Sequence, residues 1–375
     1  MKAKDYLDLA NPAVSELVPY TPGKPVEELE RELGISDSIK LASNENPLGA
    51  SPKVTEALKK GLDGLNLYPD ANGFYLKNAL SKHHHLPSEC ITLGNGSNEV
   101  LVFLAQAFLN PNVAAVYSQY AFAVYPIVTQ MMGAKHQQVP ALPVGHPMAL
   151  GHDLRAMFGA IDEHTRLVFV ANPNNPTGTW LGQDRLCDFI GSLPPHVICV
   201  VDEAYTEYGQ ADVLGDASTW LEMFPNLVVT RTFSKAYGLA ALRVGYALAN
   251  PGITDLLNRV RPPFNVSALG LEAARVALED QAFIEQSRAL NETGLVQLRD
   301  GLEALGVEVS PSAANFVLAH FGRPAKEINA ALMKQGVIVR PVGNYGLDQS
   351  LRITVGTGEQ NERLLKTLAN VLGQM

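Results

Sequence analysis

Between residues 90 and 249 the chain alternates short, almost wholly apolar runs with longer mixed segments. The runs are Cys90 to Leu93, Val113 to Tyr117, Leu167 to Ala171, Val197 to Val201, Leu227 to Thr230 and Val244 to Ala249. Each is rich in β-branched residues and bounded by turn signals, which predicts strands. Strands without polar alternation are buried on both faces, so the pattern predicts an α/β fold: a mostly parallel sheet flanked by helices. Residues 265–375 read mainly as helix with a few strands and predict a smaller α/β C-terminal domain. Residues 1–45 are Pro-rich with charged clusters. They are expected to form an N-terminal arm packing with the small domain, which leaves 46–264 as the large domain. Tyr125, Met131 and Met132 fall in an apolar helical pattern and are expected in the core.

Composition narrows the function classes. The 375 residues are 46% hydrophobic, enough for a sizeable core. A formal net charge of -9 disfavours nucleic acid and anionic membrane surfaces as partners. The first residues lack the apolar stretch of a secretory signal, and no apolar run approaches the ~20 residues that span a bilayer. Cys90, Cys187 and Cys199 form no Cys-x-x-Cys pair; neither a disulfide framework nor a zinc site is expected, and a reducing cytoplasm fits. His83, His84 and His85 are consecutive. Neighbours in a row cannot converge on one metal from a helix, so they are expected to be a solvated polar end.

In open parallel sheets ligands bind beyond the carboxyl ends of the strands, so the residues after each run carry the chemistry. Gly94-Asn95-Gly96-Ser97-Asn98-Glu99 precedes the apolar helical run Val100 to Phe108; a glycine turn opening a helix exposes N–H groups and makes an anion site. It lacks the third glycine of a dinucleotide fingerprint, and no phosphate-binding Gly-x-x-x-x-Gly-Lys motif occurs. Asn172-Pro173-Asn174-Asn175-Pro176-Thr177-Gly178 is either a simple Pro/Asn turn or an irregular backbone that aims Asn175 inward. Asp202 ends its run and is either a helix cap or a buried carboxylate in need of a cation. Arg231-Thr232-Phe233-Ser234-Lys235 follows, with Arg243 beyond it; a lysine in isolation reads as a solvated charge.

In this order the parts resemble the fold type I pyridoxal-phosphate aminotransferases, and the resemblance covers nearly the whole chain. More narrowly, Asn44-Glu45-Asn46-Pro47, Tyr68-Pro69-Asp70, the Asn-Pro-Asn-Asn-Pro-Thr-Gly run, Ser234-Lys235 and Leu351-Arg352-Ile353-Thr354-Val355-Gly356-Thr357 are similar to histidinol-phosphate aminotransferases. The resemblance implies pyridoxal 5'-phosphate held as a Schiff base on Lys235, which then moves a proton as general base and acid. It implies Asp202 against the pyridine nitrogen, with Asn175 and Tyr205 on the phenolic oxygen. Tyr120 would stack on the ring, although the proline usual two residues earlier is Ser118. Gly96, Ser97 and Asn98 would cradle the phosphate with Thr232, Ser234 and Arg243. Tyr68 matches a tyrosine that reaches the phosphate from the other subunit, so a homodimer with composite sites is implied.

The resemblance also implies substrate contacts at Tyr20, Asn46, Tyr68, Asn175, Arg340 and Arg352. Arg352 would clamp the substrate's anionic end, serving glutamate and a phosphate ester in turn. The expected reaction converts histidinol phosphate and 2-oxoglutarate to imidazole-acetol phosphate and glutamate, a step of histidine biosynthesis, by a ping-pong scheme. The alternatives of the same fold are an aromatic or broad-specificity aminotransferase and a threonine-phosphate decarboxylase. A cofactor-sensing regulator is the alternative from another class, and it would need a basic DNA-binding segment.

Overall fold

A computed structural model of the chain describes residues 6–19, 23–209 and 211–375. Its centre is a seven-stranded sheet of β2 (Ile91–Gly94), β3 (Ala114–Ser118), β4 (Lys135–Val139), β5 (Thr165–Ala171), β6 (Ile198–Asp202), β7 (Leu227–Thr232) and β8 (Gly245–Ala249), in the order β2-β8-β7-β6-β5-β3-β4. β3 to β7 run parallel, while β8 is antiparallel to both its neighbours. Side chains alternate faces along a strand. Val168 and Val170 therefore join one apolar cluster, while Leu167, Phe169 and Ala171 join another on the opposite face. That double burial is why the sequence shows unbroken apolar runs. β4 escapes the pattern: its Lys-His-Gln-Gln-Val sequence lies on the sheet edge and is largely exposed.

Helix starts follow local chemistry. Ser51, Asp153 and Asn250 each accept a first-turn N–H at the starts of helices Pro52–Gly61, Leu154–Gly159 and Pro251–Val260. Helix Ser97–Phe108 has only Gly96 at its cap, with no side chain bonded there. The N–H groups of Ser97 and Asn98 at its start therefore meet no capping side chain.

The C-terminal region builds a four-stranded sheet from β9 (Glu308–Val309), β10 (Phe316–His320), β12 (Arg340–Pro341) and β13 (Ser350–Thr354), in the order β12-β13-β10-β9. Helices Gln281–Ala304 and Gly358–Gln374 supply Leu298, Leu302, Leu364 and Leu368 to its core. β1 (Ile39–Lys40) pairs in parallel with β11 (Val337–Ile338), and the chain continues alongside β13, where the Thr354 N–H donates to the Leu41 carbonyl at 2.9 Å. Ala42, Ser43 and Asn44 are thereby laid over the strand ends of the large sheet. No helix of the described residues is long and apolar enough to cross a membrane.

His84 departs from the reading of a solvated polar end. Its Nε2 lies 2.9 Å from the Tyr246 hydroxyl, and burial pushes its pKa down to about 3. His83 and His85 are exposed.

Candidate active site

A cavity of about 380 Å³ lies where β5, β6 and β7 end, where helix Ser97–Phe108 begins, and where the 42–44 segment and β12–β13 close over them. Its lining includes Ser97, Asn98, Asn175, Asp202, Tyr205, Thr232, Ser234, Lys235, Arg243, Arg340 and Arg352. Residues up to 329 positions apart in sequence, Gly23 and Arg352, thus share one space, which the strand ends and the returning C-terminal strands make possible.

Lys235 follows β7, and its Nζ donates to the Ser43 carbonyl at 3.1 Å and sits 5.8 Å from the centre of the Tyr205 ring. Burial first, then the Arg352 charge, pushes its amine down to about 8, with Glu45 pulling the other way. A surface lysine keeps its proton to about pH 10; this one gives it up near pH 8.

Asp202 closes β6 and is buried. It caps no helix. Its Oδ2 accepts from the Tyr125 hydroxyl at 2.9 Å and its Oδ1 from Thr230 Oγ1 at 3.0 Å. Burial raises its pKa, opposed by those two hydroxyls, the Ala204 N–H and the Lys235 charge. Tyr125 is buried as expected of a core residue and stacks on Phe169 with ring centres 4.7 Å apart, yet its hydroxyl is spent on the carboxylate. The neighbouring Glu203 pairs instead with Arg231, whose Nε and Nη2 donate to its Oε2 at 2.9 and 2.7 Å. Arg231 therefore turns away from the cavity into a structural ion pair.

The other strand end carries the anion features. Arg243, at φ 54°, donates from Nη1 to Ser234 Oγ at 3.3 Å and to the Ala240 carbonyl at 3.0 Å. A Cβ on Gly96 would lie 2.5 Å from Arg243 Nη2, and Gly96 has φ +77°. Only glycine fits there, so helix N–H groups, the Ser234 hydroxyl and a guanidinium converge around one small volume.

Arg352 of β13 donates to Asn175 Oδ1 at 2.5 Å and to the Ala42 carbonyl at 2.7 Å, and lies over the Phe316 ring at 5.3 Å. Arg340 is its directly opposed partner on β12. Both prolines of the Asn172 to Gly178 loop follow cis peptide bonds.

Three expected residues stand elsewhere. Tyr120 does not line the cavity; its carbonyl accepts from Asn174 Nδ2 at 2.9 Å, and Phe122, two residues on, lines the cavity instead. The missing proline at Ser118 had already set this turn apart. Asn46 also stands off the lining: its Nδ2 donates to the Ala236 carbonyl at 2.7 Å and to Ser287 Oγ at 2.8 Å, and the cavity residue of that motif is Asn44. Tyr68 is 83% exposed against Phe264, outside this chain's own cavity. Tyr20 lies outside the described residues. Phe122, Tyr125, Thr230 and Asn44 are the site residues that sequence reasoning missed. Asn44 stood inside a motif already singled out, while Tyr125 looked like any aromatic on an apolar helix face.

The model for the aminotransferase class I and II family matches residues 36–368. Histidinol-phosphate aminotransferase 2 of Pseudomonas aeruginosa is 53% identical over 370 residues, covering 98% of this chain and 99% of that protein. The protein of the same name from Methylococcus capsulatus is 54% identical over 364 residues, covering 97% and 98%. Among solved structures, histidinol-phosphate aminotransferase from Sinorhizobium meliloti in complex with pyridoxal-5'-phosphate superposes with a TM-score of 0.88 at 28% identity, covering 97% of this chain and 98% of that one. The match over nearly the full length, on a mostly parallel α/β sheet whose strand ends carry a depressed lysine amine and an anion cradle, means that the chain belongs to the class I and II aminotransferases and is a pyridoxal-phosphate-dependent transaminase.

Proposed function

We propose that this transaminase takes histidinol phosphate as amino donor and 2-oxoglutarate as acceptor, giving imidazole-acetol phosphate and glutamate as a step of histidine biosynthesis. The observation that carries the reading is the opposition of Arg340 and Arg352 across β12 and β13, both on the wall of the cavity that holds Lys235. Two guanidiniums on one cavity wall make a positively charged end suited to an anionic substrate group. A guanidinium serves a carboxylate and a phosphate ester equally well, which one site must do for two substrates bound in turn. Ping-pong kinetics are the consequence.

The residues fit pyridoxal phosphate: an amine of low pKa, a buried carboxylate, and a phosphate-sized cradle that a Cβ on Gly96 would fill. When bound, that group supplies an aldehyde to carry the amino group and a ring to absorb electrons. Lys235 Nζ would be the amine that holds the aldehyde and, when free, would carry the proton at the substrate α-carbon. Asp202, its oxygens fixed by Tyr125 and Thr230, would keep a proton on the ring nitrogen. Asn175 and Tyr205 would serve the phenolic oxygen, and Phe122, which lines the cavity where Tyr120 does not, would pack against the ring. Gly96, Ser97, Asn98, Thr232, Ser234 and Arg243 bind the phosphate. Arg352 and Arg340 bind the substrate, with Tyr20 joining them.

The same reading gives a cytoplasmic homodimer in which Tyr68 enters the site of the second copy. Leu65, Leu67, Tyr68, Phe74 and Tyr75 are each more than half exposed, which supports a covered face there. It also divides the chain into an arm (1–45), a large domain (46–264) and a small domain (265–375), supported by the pairing of β1 with β11. The test compares transamination of histidinol phosphate and of phenylalanine with 2-oxoglutarate, and carbon dioxide release from threonine phosphate. Faster turnover of histidinol phosphate, without decarboxylation, supports the reading. Preference for phenylalanine, or gas release, supports one of the alternatives of the same fold.

A further inference from the structure

Asn44 is buried, takes the left-handed backbone conformation (φ 56°) and makes polar contacts from every group it has. Its N–H donates to Thr354 Oγ1 at 2.9 Å, and Thr354 Oγ1 donates to Asn44 Oδ1 at 3.1 Å. Its carbonyl accepts from Asn315 Nδ2 at 3.0 Å, and its Nδ2 donates to the Tyr205 hydroxyl at 2.8 Å. The reciprocal pair with Thr354 settles which way the amide points. Thr354 Oγ1 already accepts the Asn44 N–H, so its own hydrogen must find an acceptor, and only Oδ1 facing it supplies one. Nδ2 is therefore the atom that meets Tyr205.

We propose that Asn44 is a positioning residue that sets the direction of the Tyr205 hydroxyl, occupying its lone pair so that its O–H points into the cavity. A phenol whose oxygen is held by a donor offers its hydrogen in the opposite sense. Turned toward the cofactor's phenolic oxygen, that O–H favours the oxygen's negative form and so lowers the pKa of the imine formed with Lys235. Thr354 lies two residues beyond Arg352 on β13, so Asn44 also ties the strand that binds substrate to the hydroxyl that tunes the cofactor. The inference rests on the assignment of Tyr205 to the phenolic oxygen. The charged groups that act on Tyr205 and Lys235 are Arg352, Asp202, Glu45, Arg243 and Lys40, and none is altered in the test below.

The imine pKa is read by absorbance titration of the cofactor-loaded enzyme for the unaltered chain, Tyr205→Phe, Asn44→Asp and the double variant. Aspartate tolerates the left-handed backbone and keeps an acceptor for Thr354, but it offers no N–H to Tyr205 and draws the O–H toward itself. Asn44→Asp is expected to raise the imine pKa by on the order of one unit, in the same direction as Tyr205→Phe. The double variant is expected to match Tyr205→Phe alone. Persistence of the Asn44→Asp shift in the Tyr205→Phe background would make it a through-space charge effect and overturn the inference. No shift in Asn44→Asp where Tyr205→Phe moves the value also overturns it, leaving Asn44 a structural residue. No shift in Tyr205→Phe would remove the role of Tyr205 itself, and the inference with it. Should Asn44→Asp fail to fold, Thr354→Val frees the amide to turn and decides the same comparison by a smaller rise that vanishes in the Tyr205→Phe background.

Discussion

The two halves of the cavity are built in different ways. The cofactor half comes from one stretch, 96–243, whose chemical residues stand at strand ends, at a helix start or in the short loops beside them. The substrate half is stitched together: Arg352 and Ala42 are 310 residues apart yet joined by a 2.7 Å hydrogen bond from the guanidinium to the carbonyl, and Arg340 enters from a two-residue strand. The first half is fixed by the rigid sheet; the second depends on how the N-terminal segment and the C-terminal sheet lie over it. Such an arrangement confines covalent chemistry to the stiff side and leaves substrate selection to the side assembled from distant segments.

The comparison can be broken most severely at its centre. Lys235→Ala removes both the imine and the proton carrier and is expected to lower kcat by roughly 10⁴-fold or more, with loss of the imine absorbance and no change in far-ultraviolet circular dichroism. On the substrate side, Arg352→Ala deletes charge-assisted contacts worth about 1.5–3 kcal/mol, roughly ten- to hundred-fold in kcat/KM. Cofactor affinity is expected to survive. Arg340→Ala, measured in parallel, separates the substrates if it harms the phosphorylated one more than phenylalanine.

Smaller effects sharpen the picture on the cofactor side. Gly96→Ala puts a methyl group against Arg243 Nη2 at a positive φ, costing about 1–2 kcal/mol, and is expected to weaken cofactor binding about tenfold by equilibrium titration while KM for the amino donor stays put. Tyr125→Phe leaves Asp202 with one hydroxyl donor fewer. The carboxyl pKa, already raised by burial, rises further, and kcat is expected to fall by a few fold, about 1 kcal/mol or less.

A pH test follows from Lys235. Its amine is charged below about pH 8 and neutral above it. Only the neutral form attacks an aldehyde, so the rate at which the cofactor-free chain takes up pyridoxal phosphate should climb about tenfold per pH unit on the acid side and level off above pH 8. A plateau that begins only near pH 10 would mean an amine of ordinary pKa.

The difference between the halves also explains what the sequence could disclose. Apolar runs buried on both faces announce strands, and in a parallel sheet the residues after them are the ones to inspect, so the local pattern marks the positions of Asp202, Lys235 and the Gly96 turn, while their roles come from the motif resemblance. Edge strand β4 could not, because a polar sequence paired on one side leaves no apolar signal. Tyr125 hid for the opposite reason, since a buried aromatic shows its hydrogen bond only once β6 and β7 are placed beside it. Phe122 and Asn44 were each missed by two positions within stretches already marked, Tyr120 and Asn46 having been chosen. Motif resemblance locates a turn, but the turn's exact course decides which side chain enters the cavity.

The central claim is a covalent one, and peptide mapping after borohydride reduction of the cofactor-loaded enzyme tests it most directly. The account predicts one pyridoxyl group per chain, on the peptide bearing Lys235, absent in Lys235→Ala. A label on any other lysine, or a loaded enzyme that takes none, would contradict it.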